Sequence, residues 1–173
     1  MSEAHAHRDH RLFQRAAALL SEDYPLEQLI ERLCDTLCSE LGAQIAFVAL
    51  SDSQGQLAIN GVAQSDPAAL PDIGPDSSAR EAFATGMVSF DARNCFATPI
   101  VYRERTLGVI GLRIDATLDE EDQREIAAIA RYLAIAVRNL LNDRYAITLN
   151  SDLQGTHYAR PRTVELRLFL GGT

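Results

Sequence analysis

The sequence predicts an α+β domain: a central antiparallel β-sheet of five to six strands, with N- and C-terminal helices packed on one face and a loop plus a short helix on the other. Three observations predict it. Apolar residues recur with helical spacing at both ends, short β-prone runs between them are joined by turns too tight for parallel crossovers, and a proline-rich stretch interrupts the strands.

Leu12, Phe13, Ala16, Leu19 and Leu20 mark a first helix that stops at "SEDYP", where Pro25 is tolerated only in the first turn of a new helix. The second helix carries Leu26, Leu29, Ile30, Leu33, Leu37 and Leu41 in one stripe and meets Gly42 where a left-handed cap is needed. "AQIAFVALSD" and "QLAINGVA", separated by "SQG", read as strands one and two. Residues 64–76, "QSDPAALPDIGPD", hold three prolines and a glycine, so they form an irregular loop of a length that is often functional. "SSAREAFATG" reads as a small helix ending at Gly86, "MVSF" as a third strand, and "CFATPIVYRERTLGVIGLRID" as a hairpin supplying strands four and five. Gly108 and Gly111 in that hairpin permit bends, bulges or close backbone approach. Thr117, three residues before Glu120, suggests a capping box for a last helix reaching about Arg144. Its face of Ile126, Ile129, Ala130, Leu133, Val137, Leu140 and Leu141 is broadened by Ala128, Tyr132 and Ile135, which implies a second contact surface.

With 173 residues and 47% hydrophobic content the chain can bury one substantial core. The expected organisation is a leader at 1–11, one domain at 12–144 and a C-terminal extension at 145–173. Sixteen basic against twenty-four acidic residues give a net charge of −8, a surface that repels phosphate backbones and anionic lipid, so neither nucleic acid nor membrane is an expected partner. The most apolar helical stretch, 126–141, is broken by Arg131 and Arg138 and is too short to span a bilayer. The polar start "MSEAHAHRDH" lacks a signal-peptide core, and Cys34, Cys38 and Cys95 make an odd set suited to reduced thiols; a cytoplasmic location is expected.

Four blocks in order, "LEQLIERLCDTLCSELGAQIAFVALSD", "AREAFATGMVSFD", "ATPIVYRERTLGVIGLR" and "LDEEDQREIAAIARYLAIAVRNLL", resemble the GAF domain, a sensory module related in fold to PAS domains. The resemblance covers residues 12–143. It implies a regulatory input domain that binds a small molecule between the sheet and the loops around the small helix, and that dimerises through its terminal helices. It also sets tests for ligands known in the family. The Cys-His pair that would attach bilin is absent, and the Asn-Lys signature of cyclic-nucleotide binders cannot occur in a chain without lysine. His5, His7, His10 and His157 all fall outside the domain, so no axial ligand for haem stands within it. None of these three cofactors is expected.

The ligand-binding residues expected are Arg80 and Phe83 on the small helix, Phe90 and Asp91 after it, and Phe96 and Thr98 on the hairpin: an arginine to fix an anionic group, aromatics for an apolar wall. The alternative puts Arg80 on a solvated face and the phenylalanines in the core. Cys34 and Cys38, four apart on a helix, have no third ligand nearby, so no metal site is expected. Cys95 is the best thiol for redox work, and on it alone rests the reading of a thiol-based reductase similar to the family's free methionine sulfoxide reductases. "HAHRDH" has the composition of a metal-binding tract but reads as a solvated leader. In the extension, "SDLQGTHYAR" is similar to the opening of HD-type phosphohydrolases without a downstream His-Asp pair, while "TVELRLFL" alternates like a strand. The leading expectation is a non-enzymatic, homodimeric, small-molecule-binding sensory domain with an effector domain or protein downstream. A pocketless dimerisation scaffold is the alternative.

Overall fold

The computed structural model describes residues 11–115 and 117–150. Two helices, α1 (Arg11–Leu20) and α2 (Leu26–Leu41), precede the hairpin β1 (Ile45–Ser51) and β2 (Leu57–Gln64). The small helix α3 (Ser78–Thr85) leads to β3 (Ser89–Phe90), then β4 (Cys95–Tyr102), β5 (Arg105–Arg113) and the long α4 (Glu120–Asn150). The sheet has five strands in the order β2-β1-β5-β4-β3, every pairing antiparallel. Residues 1–10 of the leader, the four histidines, and the extension from Ser151 onward, with its "TVELRLFL" segment, lie outside the described residues, while Arg11 already begins α1.

Local chemistry sets the element ends. Pro25 stands just before α2 rather than in its first turn, with ψ 144°, and its carbonyl accepts the Leu29 N–H at 2.9 Å. At the other end Gly42 adopts φ 63° and donates its N–H to the Cys38 carbonyl, so the expected left-handed cap is present. Asp119, not Thr117, caps α4: its Oδ1 accepts the N–H groups of Glu121 at 2.9 Å and Asp122 at 2.8 Å. The helix then continues past Arg144 to Asn150, further than the expected domain end. The run "MVSF" contributes only Ser89 and Phe90 to the sheet.

Strand alternation divides the interior into two cores. Ala46, Val48, Phe96, Ile100, Ile110 and Leu112 point to the face covered by α2 and α4, where they meet Ile30, Leu33, Leu37, Ile126, Ile129 and Leu133. Each such side chain, fully buried, contributes about 1.5–3 kcal/mol, so this face dominates stability. Helix α1 packs on α2 and α4, with the Phe13 and Tyr132 rings 5.5 Å apart and an Arg15–Glu40 ion pair. The opposite core is smaller: Phe47, Ala49, Leu57, Ala97 and Val109 from the sheet meet Ala79 and Ala82 of α3, with Ile73 and Phe83 at the edge. Its small residues let α3 lie close to the strands.

Two bulges adjust the pairing. Asn60 is the extra residue on β2, and its side-chain oxygen accepts the Leu50 N–H at 3.0 Å. Leu107 is the extra residue on β5, directly before Gly108. Gly108 itself answers close approach, since a Cβ there would fall 2.2 Å from the Ala49 carbonyl oxygen.

Candidate functional site

On the α3 side a cleft of about 310 Å³ opens at the end of the sheet where β1 and β4 begin and β5 finishes. Its floor is Ile45 and Phe47 of β1 with Cys95 of β4 and Arg113 of β5, and its walls are Ala68, Leu70, Pro71 and Asp72, Ser78 at the start of α3, and Arg93. Ile45, Cys95 and Arg113 are register partners across three strands, which puts their side chains on one face.

The roof is a loop held by its own polar groups. Gln64 donates to the Ala69 carbonyl at 2.6 Å, Asp66 Oδ1 accepts the Ala68 N–H at 2.9 Å, and Asp72 Oδ1 accepts the Gly74 N–H at 3.0 Å. Ser77 caps α3 through the Arg80 N–H and also donates to the Gly74 carbonyl at 2.8 Å. The roof is pinned to the β3–β4 turn by Arg93, whose guanidinium lies 2.8 Å from Asp72 and 3.2 Å from Asp91. Asp91, then Asp72, hold that guanidinium's pKa above its ordinary value. Partial burial pushes the Asp91 carboxyl up, but the N–H groups of Arg93 and Cys95 and the Arg93 charge outweigh it, and its pKa lies below the usual range.

The expected site residues separate into four groups. Asp91 belongs to the latch beneath the cleft's rim. Arg80 and Phe83 sit on α3, where Arg80 donates to the Ile73 carbonyl at 3.5 Å and Phe83 packs on the smaller core; neither lines the cleft. Phe96 and Thr98 share parity with Ile100, so their side chains point into the helix-covered core, and of the two Phe96 also borders the cleft. Phe90 stacks edge-on against Phe96 at 4.9 Å and is half exposed at the sheet margin. The lining residues Asp72, Arg93 and Arg113 were not expected. The one available signal was Cys95, because residues two apart on its strand, and those opposite it, share its face.

The thiols are poorly set up as nucleophiles. Burial, reinforced by Asp35, pushes Cys34 up to about 12, and the Cys38 thiol donates to the Ala43 carbonyl at 3.0 Å. Burial, followed by the Asp91 charge, raises Cys95 above its ordinary value despite Arg93 and Arg113 nearby. Among the described residues no group of three or more His, Cys, Asp or Glu side chains is placed to hold a metal ion, and no helix is long and apolar enough to cross a membrane.

This architecture has known counterparts. The chain superposes with TM-score 0.66 on free methionine-R-sulfoxide reductase from Neisseria meningitidis in complex with its substrate, at 15% identity over 84% of this chain and 95% of that one. It matches the GAF domain of a phosphoenolpyruvate-protein phosphotransferase from Coxiella burnetii with TM-score 0.64, at 12% identity over 78% and 95% of the two chains. A phycocyanobilin-bound GAF domain from a cyanobacterial phytochrome gives 0.60, at 15% identity over 78% and 96%. Among curated proteins none matches the chain by sequence. At these identities the structures establish the shared fold. The GAF domain family model, however, matches residues 24–138, from just before α2 into α4, and the chain belongs to the GAF domain family.

Proposed function

We propose that this GAF domain is a cytoplasmic, non-catalytic regulatory module that binds a small molecule in the cleft under the 64–76 loop and signals as a homodimer through its terminal helices. The observation that carries the reading is the cleft itself: a floor of apolar side chains with one guanidinium, converging polar groups, and a roof tied to the β3–β4 turn by Arg93. Two of the structural relatives hold a small molecule. The strands offer a route for the signal, because β1 and β4 present Phe47 and Cys95 to the cleft and Val48 and Phe96 to the core beneath α2 and α4. A ligand that prefers one arrangement of that floor shifts the helices; one that fits both equally shifts nothing. The raised Cys95 thiol supports a non-catalytic role over a reductase, and three cysteines without a disulfide suit a reducing compartment. Helix α4, running beyond the family match to Asn150, supports an output partner on its far side.

A small-molecule thermal-shift screen tests this, since a ligand at a hundred times its Kd adds about 2.7 kcal/mol to stability. A flat response across metabolite classes removes the sensor. The pocketless scaffold is then favoured by one observation: Ile135 on α4 is 39% exposed, on the same side of the helix as Ala128 and as the Tyr132 ring that Phe13 of α1 packs against. For either reading, Ile135→Glu should convert a dimer to monomer in sedimentation velocity.

A further inference from the structure

Resting on the reading of the cleft as a ligand site, the geometry points to its ligand class: we infer that it takes a small monocarboxylate with a compact apolar body, anchored by the guanidinium of Arg113.

The two arginines on the cleft differ in what they already hold. Arg93 is occupied on both sides, by Asp72 and by Asp91. Arg113 lines the same cleft, exposed, and among the described residues its guanidinium makes no hydrogen bond or ion pair. Its strand position is fixed on both sides, opposite Cys95 on β4 and Ile45 on β1, so its charge is delivered to the cleft's floor. A planar guanidinium with free donors matches a carboxylate with two parallel hydrogen bonds. Ser78 adds a hydroxyl at the start of α3.

Charge limits the ligand to one negative group. Asp72 and Asp91 stand around Arg93, and Asp115, two residues beyond Arg113, accepts from the Gln44 amide at 2.8 Å. One free guanidinium balances one carboxylate; these neighbours oppose the second charge of a phosphate monoester. The remaining lining calls for an apolar body. Ile45 and Phe47 on the floor and Pro71 in the wall are apolar, and Leu70 stands 72% exposed at the rim, where an occupant would cover it. A volume of about 310 Å³ lies at the bottom of the range for ligand cavities, which suits a small metabolite and not a tetrapyrrole.

The test is an amide-resolved NMR titration of the full chain with matched probes: 4-methylpentanoate against 4-methylpentanamide, benzoate against benzamide, and phenyl phosphate. The acids should move the amides of Ile45, Leu70, Asp72, Ser78 and Arg113 and bind about tenfold tighter than their amides, the usual worth of a charge-assisted pair. Arg113→Gln should erase that preference, lowering acid affinity far more than amide affinity with the melting temperature in place, and Arg113→Lys should retain part of it. Amides that bind as well as acids, or a preference that survives Arg113→Gln, would overturn the inference while the cleft remains a binding site. Phenyl phosphate binding tighter than benzoate would overturn the choice of carboxylate. If no probe moves any cleft amide, the inference and the ligand-site reading fall together.

Discussion

Gly111 lies between Phe47 on β1 and Ala97 on β4, and the Phe47 ring rests directly on it. In a Gly111→Ala protein the new Cβ would stand 2.2 Å from Phe47 Cζ, 2.4 Å from Cε1 and 2.8 Å from Cε2. Contacts under 3.0 Å essentially never occur, so the ring has to retreat by about 1 Å or swing off the strand. Away from the cleft it has little room to do so: Phe47 is 5% exposed and packed with Ala79, Ala82, Ala97 and Val109. Overpacking of this kind costs about 1–3 kcal/mol, and the lost freedom of the unfolded chain returns only about 0.4–1 kcal/mol, so destabilisation wins. At about 2–4 °C per kcal/mol for a chain of this size, the melting temperature should fall by several degrees. Urea denaturation of Gly111→Ala, Phe47→Leu and the double variant supplies the check. A smaller side chain at 47 relieves the clash, so the double variant should be more stable than the sum of the single effects by about 0.5–3 kcal/mol. Wild-type stability in Gly111→Ala, or strict additivity in the double variant, would refute the account of this glycine as a seat for the ring.

Three further outcomes follow from the caps and the titrating groups. Asp119→Ala should cost about 0.5–2 kcal/mol in urea denaturation while Thr117→Ala stays within about 0.5 kcal/mol, because among the described residues it is the Asp119 side chain that accepts the backbone N–H groups of Glu121 and Asp122; equal losses would contradict the cap. Asp91 has a folded pKa below its unfolded value of about 3.9, so its contribution is present above that pH and lost as the pH falls through the folded value. The stability gap between wild type and Asp91→Asn should therefore shrink from pH 7 to pH 3, and a gap that does not change with pH would oppose it. Cys34 is shifted the other way: the stability present below its unfolded value of about 8.5 is lost as the pH rises toward about 12. Cys34→Ala should lose less stability than wild type between pH 8 and 10, and wild-type Cys34 should react with a disulfide reagent only as fast as the chain opens.

The order and class of the elements were legible because their signals are local. The α2 stripe from Leu26 to Leu37 repeats at helical spacing and is buried along its length. Gly42 and Gly86 stand where left-handed caps close α2 and α3. The small helix and the 64–76 loop do lie over the face of the sheet opposite α2 and α4, as two-faced packing requires. Errors at element ends have local causes too. Thr117 and Asp119 are both good capping residues, and the pattern alone could not rank them; the chain bends so that Asp119 reaches the free N–H groups.

The site was harder to read, and the reason lies in one residue. Counting back from the Tyr102–Arg105 end of the hairpin in regular register would set Cys95 opposite Leu112, an apolar residue. Leu107 is extra on β5, so beyond Ile100 the pairing slips by one and Cys95 faces Arg113 instead. A single bulge thus decides whether the cleft's floor carries a leucine or a guanidinium. The same parity turns Phe96 and Thr98 toward the helices, although their composition suits a ligand wall as well as a core. Asp72 and Arg93 meet across a gap of twenty-one positions in sequence, through a loop whose course depends on hydrogen bonds that Gln64 and Ser77 donate and Asp66 accepts. Residue type proposed an arginine for this cleft and named Arg80. Pairing register, which is non-local, sets Arg113 on the cleft's lining and leaves Arg80 off it.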